Sequence, residues 1–84
     1  MRLINKGVDV CAVQPGECYT VEKYSKKMSP DFRQRLMAMG LIPGSSFQVI
    51  RKAPLGDPIE IEVKGFFLSI RQKELSLLEI SFRN

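Results

Sequence analysis

The sequence predicts a mainly β domain, a small and partly open barrel of about five strands. One short helix lies between the first two strands, and a short helical turn precedes the last. Three observations support this fold class: a repeated Pro-Gly pattern, one segment with helix-capping signals, and apolar segments that pair in a single register. Five short antiparallel strands within 84 residues must curl to shield their edges and enclose a core.

The repeated pattern introduces each of the first two strands. VxPGxxYxV at 13–21 is matched by LxPGxxFxV at 41–49. In both copies Pro-Gly suits the two central positions of a type II turn, because proline fixes φ and glycine accepts a positive φ. An alternating apolar strand follows each turn, the first over about Cys18 to Tyr24.

The predicted helix follows the first strand. Ser29 is a suitable N-cap, Pro30 suits the first helical position, and Asp31 favours the positive end of the helix dipole. Gly40 suits the position that ends the helix. The apolar residues at helical spacing, which we expect to be buried, are Phe32, Leu36 and Met39. The residues expected to face outward are Arg33, Gln34 and Met37.

The later strands can be paired from their alternation. Segments 46–52 and 59–64 form a hairpin across the loop 53–57, which pairs Val49 with Ile61. Lys64-Gly65 makes a two-residue turn into the next strand, which pairs Val63 with Phe66. Segment 71–77 then forms a short helix or single turn, and 78–82 closes the sheet. The residues that this register places inside are Phe47, Val49, Ile59, Ile61, Val63, Phe66, Leu68, Ile70, Leu78, Ile80 and Phe82. Those that it places outside are Gln48, Ile50, Glu60, Glu62, Lys64 and Phe67.

Length and composition indicate one globular domain at 10–84, preceded by a weakly patterned arm at 1–9. The net charge of +4 is dispersed, with no basic run longer than two residues, so it indicates a solvated surface and no nucleic-acid interface. No segment has the roughly 20 apolar residues that span a bilayer, and the N-terminus lacks the apolar core of a secretory signal. We therefore expect a cytosolic protein with reduced cysteines and no membrane insertion.

The residue types argue against an enzyme. The chain has no histidine and no phosphate-binding glycine motif, which removes the commonest general base and nucleotide binding. Cys11 and Cys18 lack a second cysteine pair, and Glu60 and Glu62 could hold Fe²⁺ or another divalent cation only weakly. The simpler interpretation is that these are half-buried cysteines and solvated strand carboxylates, so we expect no cofactor.

The segment RQRLMAMGLIPGSSFQVIRKAPLGDPIEIEV, followed by KGFFLSIRQKE, resembles the ferrous iron transport protein A (FeoA) family over about residues 10–83. The combination of MGL-x-PG, APLGDP and G-x-x-L-S-x-R-x-x-E at these spacings carries the resemblance. It implies an SH3-like barrel in the cytosol that docks on the membrane ferrous-iron permease FeoB, whose cytosolic part carries a GTPase domain. Such a protein is held peripherally at the inner membrane through its partner. The alternative is an SH3-like metal-responsive or nucleic-acid-binding regulatory module, since the same fold occurs in iron-dependent repressors.

Partner contacts are predicted on the helix and on the loop 53–58. Two prolines stiffen this loop and limit the entropy lost on binding. The predicted partner-binding residues are Arg33, Arg35, Met37, Leu55 and Asp57. The alternative is a stiff hairpin connection with Leu55 tucked over the barrel end. The outward Ile50 and Phe67 are either covered by the arm or the helix, or they form a patch for weak self-association or partner contact.

Overall fold

Five antiparallel strands form one sheet in the order β4-β3-β2-β1-β5. The structure, a computed structural model, describes residues 12–83, so the predicted arm at 1–9 lies outside the described residues. The elements are β1 Cys18–Tyr24, α1 Pro30–Met39, β2 Ser46–Lys52, β3 Ile59–Val63, β4 Phe66–Ile70, α2 Gln72–Leu75 and β5 Leu78–Arg83. Because β4 and β5 are both edges, the sheet is not closed, and the predicted partly open, mainly β architecture is confirmed.

The two Pro-Gly repeats face each other across the β1–β2 pair. The Gly16 N–H donates to the Val49 carbonyl at 2.7 Å, and the equivalent bond in the other repeat runs from Gly44 to Val21, also at 2.7 Å. Each valine N–H returns a bond, of 2.9 and 2.8 Å, to the carbonyl of the residue after the opposite glycine. The repeat therefore builds a local two-fold arrangement in which each turn closes onto the strand of the other copy.

The core lies on the inner face of this sheet and under α1. Tyr19 and Phe47, at equivalent positions of the two repeats, are paired across β1 and β2, with ring centroids 5.8 Å apart. Burying a Leu, Ile or Val side chain contributes roughly 1.5–3 kcal/mol. The buried apolar residues among those described are Val13, Tyr19, Val21, Met28, Leu36, Leu41, Phe47, Val49, Ile59, Ile61, Val63, Ile70, Leu75, Leu78 and Ile80.

Helix α1 has the predicted bounds and caps. The Ser29 hydroxyl accepts a hydrogen bond from the Phe32 N–H at 3.2 Å, and Gly40 ends the helix with φ 90°. Leu36 is fully buried, and Phe32 and Met39 pack against the core while half-buried. The outward residues Arg33, Gln34 and Met37 are exposed as predicted.

The β3–β4 register is confirmed, with Val63 opposite Phe66, Ile61 opposite Leu68 and Ile59 opposite Ile70. Lys64 and Gly65 both have positive φ, 51° and 87°, as a type I′ turn requires. The β2–β3 pair keeps the predicted Val49–Ile61 register and shifts between Val49 and Arg51, so a bulge lies at Ile50.

Two residues predicted to be inside are exposed. Phe66 is 71% exposed and Phe82 is 51% exposed, although the Phe82 ring packs edge-on against Tyr19 with centroids 5.7 Å apart. Both lie near the ends of edge strands, where only one neighbouring strand covers the side chain. Alternation placed them on the inner face, but the core does not extend to the edge of the sheet.

Candidate partner-binding surface

An apolar groove of about 380 Å³ lies between the C-terminal end of α1 and the β3–β4 hairpin. Residues 37–40 line one side, and Lys64, Phe66 and Leu68 line the other. Met37 is 50% exposed and Phe66 is 71% exposed, so each side presents a large apolar side chain to solvent. An exposed apolar patch of this kind usually marks a site of interaction.

The end of α1 is held directly against the hairpin. The Gly40 N–H donates to the Met37 carbonyl at 3.1 Å, and the Leu41 N–H donates to the Leu36 carbonyl at 2.9 Å. A Cβ atom on Gly40 would lie 3.4 Å from Val63 Cγ1, at the short limit of ordinary van der Waals contact. Glycine therefore allows both the left-handed turn and the close approach that sets the width of the groove.

A half-buried tyrosine supports the same turn. The Tyr24 hydroxyl donates to the Leu41 carbonyl at 2.7 Å. Burial raises the pKa of Tyr24, an effect partly opposed by the positive charge of Arg33. The phenol thus stays a hydrogen-bond donor and anchors the residue that follows the helix.

The predicted helix residues do not share one face. Met37 and Arg33 are four residues apart, and therefore lie on the same side of α1. Arg35 instead stacks over the Phe32 ring, 5.6 Å from its centroid. Arg33 and Lys64 thus give the neighbourhood of the groove a positive charge, while Arg35 lies on another side of the helix.

The predicted loop residues lie at the opposite end of β3 from the groove. This strand of 5 residues spans about 16 Å. Leu55 is 96% exposed, so the alternative in which it tucks over the barrel end is wrong. The Asp57 carboxylate accepts a hydrogen bond from the Gln72 N–H at 2.7 Å, at the first residue of α2. Asp57 therefore has a structural contact, and the five predicted residues form two separate patches.

The weak metal candidates are not brought together. Glu60 Oε1 accepts a hydrogen bond from Arg51 Nε at 3.0 Å, Cys18 is half-buried, and Cys11 lies outside the described residues. Glu62 lies two residues from Glu60 on the same face of β3, opposite Gln48 and Phe67 of the neighbouring strands. Within residues 12–83, no group of three or more His, Cys, Asp or Glu side chains could hold a metal ion.

The outward apolar residues differ in exposure. Phe67 is 62% exposed, so α1 does not cover it, whereas Ile50 is half-buried at the bulge. In the part of the chain from 12 to 83, no helix has the length and apolar character needed to cross a membrane.

Sequence reasoning missed the part of the groove contributed by the hairpin. Phe66 was assigned to the core, and Lys64 was treated only as a turn residue. Phe66 directly follows the two-residue turn and begins the second strand of the hairpin. This position is the signal that could have placed Phe66 at the edge of the sheet.

Comparison with known proteins identifies relatives that share this fold. A family model described as the FeoA domain matches residues 8–81. A curated relative, the Fe(2+) transport protein A/Fe(2+) transporter FeoB fusion protein of Porphyromonas gingivalis, is 31% identical over 49 residues, which are 58% of this chain and 6% of that protein. The chain thus spans only a small part of the length of this curated relative.

Solved structures agree with the fold. The FeoA protein of Chlorobium tepidum has a TM-score of 0.80 and 31% identity, covering 92% of this chain and 71% of that one. A Pseudomonas aeruginosa protein has a TM-score of 0.67 and 43% identity, covering 88% and 99%. FeoA of Stenotrophomonas maltophilia, described as an SH3 domain protein and complexed with zinc, has a TM-score of 0.73 at 18% identity, covering 89% and 91%. This last likeness concerns the fold, which is SH3-like.

Proposed function

The chain belongs to the FeoA domain family, and we propose from this membership that it is a non-enzymatic accessory protein of ferrous iron uptake that docks on the permease FeoB. One observation carries the proposal: the Porphyromonas gingivalis relative joins Fe(2+) transport protein A and FeoB in a single chain. In the fused protein, one polypeptide holds the transport protein A part and the FeoB part together. A separate chain of the transport protein A type must instead bind FeoB to act at the same place.

The groove between α1 and the β3–β4 hairpin is the primary docking surface in this proposal. Its exposed Met37 and Phe66 favour an apolar side chain of the partner, and the nearby Arg33 and Lys64 favour a carboxylate. The occupant is therefore an amphipathic segment with apolar and acidic residues in the cytosolic, GTPase-bearing region of FeoB. The exposed Leu55 provides a second contact, on the loop that precedes β3.

The alternatives have less support from the described residues. Of the aromatic residues considered for base stacking, Tyr19 is buried and Tyr24 is half-buried and bonded to a carbonyl, which leaves Phe67 as the exposed member of the three. Glu60, one of the two carboxylate candidates for a cation, is paired with Arg51. We therefore propose no resident metal, and a ferrous iron titration at tens of micromolar should show no saturable binding.

A calorimetric titration of the full chain against the cytosolic region of the cognate FeoB, with and without GTP at physiological salt, tests the proposal. Saturable binding is expected, and raising the salt concentration should weaken it because the groove is basic. A dependence on GTP would identify the chain as a regulator of the switch state. Absence of binding to this region would refute the proposed docking site.

Matched variants test which patch makes the contact. Met37→Glu and Leu55→Glu make the same type of change at the groove and at the loop, and both residues are at least half exposed, so folding should be kept. Met37→Glu should weaken binding at least about tenfold, equivalent to about 1.4 kcal/mol. Lys27→Gln lowers the net charge by the same amount as Met37→Glu, but at a residue that precedes α1. This variant should bind as the unmodified chain does. Unchanged binding by Met37→Glu would exclude the groove.

A further inference from the structure

Among residues 12–83, no strand pairs with the outer edge of β4, so this edge is open to another strand. Natural edge strands usually carry a lysine, a proline or a bulge that discourages pairing. Among the five strands described for residues 12–83, β4 is the only one without a charged residue, and its sequence is FFLSI. Phe66 and Phe67 point to opposite faces and are 71% and 62% exposed, so both faces of this edge are apolar.

The backbone geometry of the hairpin shows which polar groups lie on the free edge. The pair that flanks a two-residue turn, Val63 and Phe66, exchanges hydrogen bonds, and such pairs alternate along an antiparallel ladder. Leu68 and Ile70 therefore direct their N–H and C=O groups toward β3. Phe67 and Ser69 direct theirs away from it, toward the free edge.

These four groups are complementary to those of a second copy. We propose that β4 pairs with β4 of another molecule of this chain, antiparallel, with Leu68 on the two-fold axis. In this register Phe67 lies opposite Ser69 of the second copy, and their outward N–H and C=O groups make four hydrogen bonds across the interface. The interface is isologous, as most dimer interfaces are.

The side chains fit the same register on both faces. On the inner face Leu68 meets its own equivalent, and Phe66 meets Ile70 of the second copy. On the outer face the two Phe67 rings are diagonal neighbours, within reach of each other across the axis. With no charged residue in either strand, self-pairing places no like charges opposite each other, whereas each of the other four described strands carries charged residues. A second copy is therefore the occupant that this edge favours.

Sedimentation velocity of the full chain over a range of concentrations tests the pairing. The unmodified chain should convert from monomer to dimer. Phe67→Lys should raise the dissociation constant at least about tenfold, because it places like charges across the axis. Leu55→Lys adds the same charge at a residue that is 96% exposed and remote from this edge, so it should dimerise normally. A chain that stays monomeric up to about 1 mM, a weak limit for association, would overturn the proposal.

A backbone variant separates pairing from folding. Ser69→Pro removes an N–H that faces the free edge and keeps the β3–β4 ladder, so the monomer should fold while the dimer is lost. Circular dichroism and thermal unfolding check the fold. Retained dimerisation by a folded Ser69→Pro chain would overturn the assignment of the edge.

Cysteine cross-linking tests the register. In a chain with Cys11→Ser and Cys18→Ser, oxidation of Leu68→Cys should join two copies, because the axis brings these positions together. Phe66→Cys, four residues away from its own equivalent in this register, should not cross-link. Preferential cross-linking of Phe66→Cys would overturn the register.

Protection of the Phe67 and Ser69 amides from hydrogen exchange only on adding the FeoB region would overturn self-pairing and assign the edge to a partner strand.

This proposal does not rest on docking on FeoB, although Phe66 and Leu68 belong both to the β4 edge and to the groove. Phe67 does not line the groove, so Phe67→Lys should still bind the FeoB region. Loss of dimerisation with intact binding, and loss of binding in Met37→Glu with intact dimerisation, would separate the two surfaces.

Discussion

Replacing Gly40 with alanine tests how the end of α1 is held against the β3–β4 hairpin. Gly40 has φ 90° and ψ 5°, a left-handed conformation that costs an L-residue roughly 1–2 kcal/mol. The new Cβ would also lie 3.4 Å from Val63 Cγ1 and 3.5 Å from Lys64 Cδ. The lysine chain can move, but Val63 is fully buried in β3, so crowding adds about 1 kcal/mol. We expect Gly40→Ala to lower the free energy of unfolding by about 2–3 kcal/mol.

Gly44→Ala is the matched control. Gly44 has nearly the same φ, 94°, but a Cβ there would meet nothing within 4 Å. This variant should therefore lose only the backbone contribution, roughly 1–2 kcal/mol. The difference between the two variants, about 1 kcal/mol, measures the crowding against Val63.

Urea unfolding at equilibrium gives both values, and the difference corresponds to roughly 4–8 °C in Tm for a domain of this size. A loss in Gly40→Ala no larger than that in Gly44→Ala would refute the close approach of the helix to the hairpin. If folded Gly40→Ala also binds the FeoB region more weakly, the spacing of the groove matters for docking as well as for stability.

Two further variants test other contacts. Burial, aided by the hydrogen bond to Glu17, raises the pKa of Tyr19 to about 12. The stability contributed by the protonated phenol is complete below the unfolded-state pKa of about 10 and is lost as the pH rises through 12. Between pH 10 and 12 the unmodified chain should lose about 2–3 kcal/mol more stability than Tyr19→Phe in urea titrations, and equal losses would contradict the assignment. Asp57→Ala should destabilise the fold by about 1 kcal/mol, since the carboxylate accepts from the Gln72 N–H, whereas Asp57→Asn keeps an acceptor and should lose less. Thermal unfolding of both variants checks this order, and equal stability of the two would contradict the capping role.

Local signals in the sequence were sufficient for most elements. The caps at Ser29 and Gly40 determined both ends of α1, because the hydrogen bonds at a helix end involve residues within one turn. The Lys64-Gly65 turn determined the β3–β4 register in the same way, since a two-residue loop leaves only one pairing. The family resemblance, based on the motifs around this helix and hairpin, is also confirmed by the FeoA domain match.

The candidate surface was harder to predict. The five predicted contact residues belong to the helix and to the loop 53–58, and the structure places Met37 and Leu55 near opposite ends of β3. Sequence distance carries no information about which loops share an end of a sheet. The assignment of these residues to a binding site remains a prediction that the matched variants will test.

The sequence by itself determined the kind of protein this is: a small, mainly β domain of the FeoA family with one capped helix and no catalytic motif. Only the tertiary structure decided which apolar residues are available for binding. Phe66 and Phe82 alternate onto the inner face of their strands, yet both are at least half exposed because they lie on edge strands. Alternation specifies the face of a strand that a side chain occupies. Its burial depends on the neighbouring strand and helix, which come from distant parts of the chain.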